Sequence, residues 1–326
     1  MNRNNQFLLG ALGLQTVVLV GMSMSGGDQN LRVRSVTVLE NFDAEKATKL
    51  EIWGPPGEKQ ESIVLERTGN SWGISSADGF PTKEDAVEDV LEKLEDLRSN
   101  NVVLKSGRYH DKLEVSDEKY VRRVKVTAGS ESHELFLGTS PAFKTTHLRV
   151  AGNDDVYLVQ DFAASDLSER SWNWVDRAYV DVPEDELWAV ELSNAQGSFR
   201  LERDPVSDTW AVLGTTSDVD ASKVDEILRK ARTINLEAPV GKTVEPSHGL
   251  DTPSAMLTMV VGTSTIAGHA PPSTTTKVVR IGSEVGGESR YYVKADDQPY
   301  VVEVASWAVK PLVEQTKDDL LPGKDD

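Results

Sequence analysis

Histidine, serine and paired carboxylates are the side chains from which a reactive centre would have to be built here, because the chain contains no cysteine. The five histidines are His110, His133, His147, His248 and His269. No two stand four apart with a glutamate following the first, so the zinc-protease pattern is absent. His133 and His147 fall in strand-like stretches, where a hydrogen-bonded structural role is the ordinary one. No Gly-x-Ser-x-Gly elbow that would swing a serine from strand to helix is expected, nor a phosphate loop ending in Gly-Lys-Ser/Thr. Serine hydrolysis and nucleotide chemistry would need unusual sites.

Carboxylates are plentiful, and the dense clusters are Asp154-Asp155, Asp181 with Glu184-Asp185-Glu186, and Asp296-Asp297. Two carboxyls set about 5–10 Å apart in a cleft would support glycoside hydrolysis. The calcium-loop pattern with its central glycine is missing. Asp154-Asp155 and Asp296-Asp297 each precede a strand-like run, where aspartate favours a turn. A hydrolase with dispersed carboxylates is therefore the minor expectation. No catalytic residue, cofactor or metal ligand is assigned. Trp172 and Trp174 are the residues singled out for contact. At i, i+2 in an extended segment they would share a face. That aromatic pad would either seal two halves of the molecule together or meet a partner or a glycan.

These groups need elements to hold them, and the elements are written twice. Ile63-Val64-Leu65-Glu66-Arg67 ahead of Trp72 returns as Phe199-Arg200-Leu201-Glu202-Arg203 ahead of Trp210. A helix-like run follows each. After Pro81, Thr82 is the expected N-cap of a helix carrying Ala86, Val87, Val90, Leu91, Leu94 and Leu97. Asp220 or Ser222 is expected to cap one carrying Val224, Ile227, Leu228, Ala231 and Ile234. Strand-like stretches then end at Gly138 and Gly282, and each copy closes on an apolar strand, Val156 to Gln160 and Tyr300 to Val304. Recurrence in this order points to two copies of one small domain. The fold expected is α+β, each copy a mostly antiparallel sheet packed on one amphipathic helix. Residues 46–162 form the first unit, 187–312 the second, 163–186 the segment between them and 313–326 a polar tail.

The N-terminus reads as a membrane element. Residues 7–24 are uncharged and mostly apolar, and as a helix would span about 27 Å, just enough for a hydrocarbon core. Residues 1–27 are expected to be an uncleaved signal anchor, with 28–45 as stalk or leading strand. Cleavage after Ser25 is the competing outcome. Either route exports the rest of the chain, placing the bulk outside a bacterial inner membrane. The 326 residues carry 35 basic and 53 acidic groups, a net charge of −18. Such a surface repels phosphate backbones, so nucleic acid is not an expected partner.

With Leu65-Glu66-Arg67 and Trp72, Leu201-Glu202-Arg203 and Trp210, Leu135-Phe136-Leu137-Gly138 and Val279-Arg280-Ile281-Gly282 in place, the chain resembles the family known as domain of unknown function 4340. The closing pairs, His147 to Val150 with Val156 to Val159 and Tyr291 to Val293 with Tyr300 to Val302, carry the same resemblance. Gly249-Leu250-Asp251-Thr252-Pro253 keeps the family's Gly-Leu segment, whereas the first copy has only Lys112-Leu113-Glu114. Proteins similar to this are membrane-anchored and accompany ABC-type export systems, including gliding-motility auxiliary components. The resemblance implies no catalytic residues. The resulting expectation is a non-enzymatic, single-pass interaction module serving a permease and ATPase complex or another envelope partner. An envelope polysaccharide or peptidoglycan binder is the alternative.

Overall fold

A computed structural model describes residues 35–215, 219–264 and 269–322. The expected membrane helix over residues 7–24 lies outside them, and among the described residues no helix is long and apolar enough to cross a membrane. The architecture is α+β, with two large antiparallel sheets and four helices among the described residues.

The first sheet holds β1 (Val36–Thr37), β2 (Ala47–Trp53), β3 (Ser62–Thr68), β4 (Ser71–Ile74), β5 (Phe80–Pro81), β6 (Arg98–Lys105), β7 (Arg122–Ala128), β8 (Glu131–Leu137), β9 (Thr145–Val150) and β10 (Asp155–Gln160). The second holds β11 (Ala178–Asp181), β12 (Leu187–Asn194), β13 (Gly197–Arg203), β14 (Trp210–Val212), β15 (Thr233–Gly241), β16 (Ala255–Val261), β17 (Thr275–Glu284), β18 (Arg290–Ala295) and β19 (Val301–Ala305). Their spatial orders are β1-β6-β10-β9-β8-β7-β2-β3-β4-β5 and β11-β15-β19-β18-β17-β16-β12-β13-β14. Substituting each strand by its counterpart turns one order into the other, with β5 the single addition. Helix α1 (Glu88–Glu95) precedes β6, α2 (His110–Leu113) follows it, α3 (Ala221–Arg232) precedes β15 and α4 (Ser306–Glu314) follows β19.

Alternation puts Leu50 and Ile52 of β2 into the core while Lys49 and Glu51 face outward. Val90, Leu91 and Leu94 of α1, and Val224, Ile227, Leu228 and Ala231 of α3, supply the buried helical stripes. One continuous apolar cluster runs through both halves. Asp220 caps α3 as expected, accepting from the Ser222 and Lys223 N–H groups at 3.1 and 3.3 Å. Thr82 does not cap α1. Asp85 adopts a left-handed conformation (φ 58°) that stops helical winding, so α1 begins only at Glu88. The Thr82 hydroxyl instead donates to the Trp72 carbonyl. Ile234 belongs to β15, buried against the core, and not to the helix. The polar tail is also partly tied down: Leu320 is buried and its carbonyl accepts the Asp220 N–H at 2.8 Å.

The two glycines that end matching strand runs have one physical cause. A Cβ on Gly138 would lie 2.0 Å from the Leu113 carbonyl oxygen, and one on Gly282 would lie 2.0 Å from that of His248. In each unit a short helical turn crosses the strand so closely that only hydrogen fits. The residue ending that turn is left-handed in both copies, Gly249 (φ 65°, ψ 20°) and Glu114 (φ 57°, ψ 45°). Thus Glu114-Val115 stands where the second unit has Gly249-Leu250, and the first copy keeps the turn with a strained residue. Gly282→Ala should lower stability by about 3 kcal/mol through overpacking, and Glu114→Gly should raise it by up to about 1 kcal/mol. Urea midpoints of the two variants read both effects; a neutral Gly282→Ala would contradict the crossing.

Tyr179 of the edge strand β11 reaches across the second sheet, donating to the Tyr300 carbonyl at 2.7 Å and accepting the Ala295 N–H at 3.0 Å. Burial, with Asp296 and Asp297 near, pushes its phenol up to about 12. Burial and the hydrogen bond to Glu284 do the same for Tyr291. A phenol whose folded pKa exceeds the unfolded value of about 10 stabilises the fold fully below that pH. The contribution is lost as pH rises towards 12. Tyr179→Phe should cost about 1–3 kcal/mol at neutral pH by orphaning the Ala295 N–H. It should also flatten the alkaline loss of stability, leaving the shares due to Tyr291, Tyr157 and Tyr292, whose phenols burial also raises. An unchanged alkaline slope in chemical denaturation would contradict this assignment.

Candidate functional site: the groove between the sheets

The segment joining the two sheets is anchored residue by residue. Lys93 pairs with Asp166 at 2.7 Å, and the Trp174 indole N–H donates to the Ser168 carbonyl at 2.7 Å. The Trp174 carbonyl accepts the Lys83 N–H, also at 2.7 Å. Residues Ser171–Asn173 form a 3₁₀ turn. With three residues per turn, positions i and i+2 no longer point the same way. Trp174 is consequently buried in the core, whereas Trp172 is half-buried and faces a groove. The shared aromatic face expected from an extended segment does not form.

That groove encloses about 480 Å³ between Ile63 and Ile74 of the first sheet and Glu237 to Pro239 and Arg290 of the second. Arg170 and Arg177 hold their guanidinium carbons 5.4 and 5.8 Å from the Trp172 ring centre. Each nearby carboxylate is engaged by a guanidinium. Glu61 meets Arg170 at 3.2 Å, Glu237 meets Arg177 at 2.7 Å, and Glu169 contacts Arg122. Burial pulls the Arg122 guanidinium below its ordinary range, against the attraction of Glu169. Its Nη1 touches Glu169 without hydrogen-bond alignment, leaving that atom and Nε unsatisfied. To act as general acid or base, any of these carboxylates would first have to leave an arginine.

The width of the groove is set by a turn that sequence reading missed. Asp78, left-handed at φ 54° and ψ 35°, accepts the Lys242 N–H at 2.8 Å. The Tyr300 hydroxyl donates to the Gly79 carbonyl at 2.9 Å, and the Phe80 and Tyr300 rings lie 4.7 Å apart. Gly241 holds a φ of 151° there, a conformation that residues with a side chain rarely adopt.

The other residues considered for chemistry are used structurally. His110 bonds the Asp154 carbonyl, His147 the Thr139 hydroxyl, and His248 accepts the Glu245 N–H while stacking on Tyr292. Asp296 and Asp297 pair with Arg280 and Lys277 of β17, and Glu184 with Arg232. Among the described residues no group of three or more side chains is arranged to hold a metal ion. One string, Gly69-Asn70-Ser71-Trp72-Gly73, does have the Gly-x-Ser-x-Gly spelling, contrary to expectation. It is the β3–β4 hairpin, with Thr68 paired to Ser71 and Gly69 at φ 63°. No helix follows it, so it is no nucleophile elbow.

Trp174→Ala should destabilise the fold by about 3–5 kcal/mol, as a large buried side chain is lost. Trp172→Ala should change stability by no more than about 1 kcal/mol, the scale of exposed cation–π contacts. Thermal melts of the two variants distinguish core from groove; equal losses would place both in the core.

Neither the comparison with curated proteins nor that with solved structures finds a match. Comparison with protein families finds one, over residues 72–253, more than half of the chain. The matched stretch runs without a break from the first sheet, through Trp172 and Arg177, to the loop before β16. The chain belongs to the family described as Domain of unknown function (DUF4340).

Proposed function

We propose that this protein is a membrane-anchored, extracytoplasmic interaction module that holds a partner in the groove between its sheets. The observation carrying the reading is Trp172, half-exposed between two arginines in a groove whose carboxylates are already engaged. An aromatic ring surrounded by ion pairs offers apolar contact plus charges able to change partner, a composition common where proteins meet. The same engagement favours binding over hydrolysis, because free carboxylates would be needed for the latter. The matched strand orders support a duplicated unit, a plan suited to building a surface. The apolar segment 7–24 supports tethering. An accessory subunit of an ABC-type transport system or of another envelope complex is the role that fits these features together.

Tagged full-length chain purified from membranes at natural expression should bring down a multi-span permease and its ATPase, and Trp172→Ala should release them. Recovery of the chain alone at stoichiometric levels would sink the reading. Retention on insoluble peptidoglycan, abolished by the same substitution, would instead favour an envelope polymer as the groove's occupant.

A further inference from the structure

Glu237, which lines the groove, also lines with its partner Arg177 a second depression of about 510 Å³, between α3 and α4. Its floor includes Thr233 and Asn235 of β15, and its rim carries Arg229, Lys230 and Trp307. Trp307 is the feature that calls for a cause. It is 75% exposed, although burying such a ring would favour folding by about 2 kcal/mol or more.

Local structure explains one of the cations. Pro311 lies inside α4 and has no N–H, so the Trp307 carbonyl, four residues earlier, lacks its helical donor. Lys230 donates to that carbonyl at 3.3 Å, and its ammonium lies 5.9 Å from the Trp307 ring centre. Position at the C-terminal turn of α3 also favours Arg229, Lys230 and Arg232 through the helix dipole. Neither cause explains why the indole is left in water beside them. Nor is the depression neutralised from within. Glu237, the carboxylate in its lining, is held by Arg177. Arg229 makes no ion pair among the described residues, even though Asp225 and Glu226 stand at helical spacing. The Asn235 amide and the Thr233 hydroxyl have no side-chain hydrogen-bond partner among the described residues. On a chain of net charge −18, three cations, a bare indole and free neutral hydrogen-bonding groups have been gathered into one hollow.

We infer that this depression binds an anionic saccharide. The indole supplies a flat apolar face, negative over the ring, for the polarised C–H side of a sugar ring. Arg229 and Lys230 meet the acidic group, in a charge-assisted contact. Asn235 and Thr233 serve the hydroxyls. The three kinds of group gathered here match the three on one acidic sugar, which presents a C–H face, hydroxyls and a carboxylate within a single ring. The site is separate from the Trp172 groove and stands or falls without it.

The test uses the full-length chain and tetragalacturonate, read by calorimetry, with maltotetraose as the neutral control. Tetragalacturonate should bind saturably and maltotetraose much more weakly. Trp307→Ala should weaken binding at least about tenfold, as truncation of an aromatic anchor does. The Arg229→Ala/Lys230→Ala double variant should weaken it and reduce its sensitivity to salt. Trp172→Ala should leave it unchanged. Far-ultraviolet circular dichroism checks that each variant folds. Absence of binding, or equal affinity in Trp307→Ala, would overturn the inference. So would loss of binding in Trp172→Ala with retention in Trp307→Ala, which would place the sugar in the groove. Equal affinity for polyglutamate would assign the hollow to acidic peptides. Capture only by phosphatidylglycerol vesicles would assign it to a membrane surface. A ligand-free mass that halves on Trp307→Ala would assign it to a second copy of the chain. Each of these three also overturns it.

Discussion

The joint between the sheets is centred on one turn, over the apolar cluster that both halves share. Asp78 projects from a tight turn of the first sheet and accepts a backbone N–H from the end of β15 in the second. Several independent constraints converge on that contact. Gly73 must lack a side chain because the Gly79 carbonyl lies where its Cβ would be, and Gly241 holds a positive φ of 151° that favours glycine. Asp78 itself holds a left-handed conformation that most residues avoid. The Tyr300 hydroxyl, the Phe80 ring and the Lys242 ammonium over Tyr300 close around it. Strain of this kind persists only where the surroundings over-determine it. This turn and the shared apolar cluster together hold the two walls of the groove that contains Trp172.

Duplication explains the frame and divergence explains the sites. The two sheets share strand order, the helix ahead of β6 and of its counterpart β15, and the crossing turn over a glycine. They differ beyond the closing strand of each copy. After β10 comes an irregular segment that buries Trp174 and offers Trp172. After β19 comes α4, whose internal proline leaves the Trp307 carbonyl to Lys230. Trp172 and Trp307 thus lie in the segments that follow the closing strands and not in the sheets. Binding residues commonly sit on such connections, because the sheet beneath can stay fixed while they change.

Legibility of the sequence followed the strength of the local signal. Strands with clean alternation, such as β2 and β3, and the Asp220 cap were readable because one residue or one period fixes them. The strand β6 was not, since Arg98-Ser99-Asn100-Asn101 is polar and its pairing with β10 is interrupted by register shifts. The start of α1 was misplaced because a well-formed capping pattern at Thr82 lost to a left-handed Asp85. Trp172 was legible as a candidate for contact, but its separation from Trp174 depends on a 3₁₀ turn that carries no sequence signature. Arg177, Asp78 and Trp307 were missed for two reasons. Their significance comes from residues about sixty or more positions away, or from a helix hidden by its own proline.

The rigid joint is the claim on which the groove rests, and the absence of cysteine makes it directly measurable. Spin labels at Glu66→Cys on β3 and Ser198→Cys on β13, both exposed strand positions, report the separation of the sheets by double electron–electron resonance. A rigid joint gives one narrow distance distribution, which broadens when Asp78→Ala is added. A broad or two-peaked distribution in the otherwise native chain would contradict it.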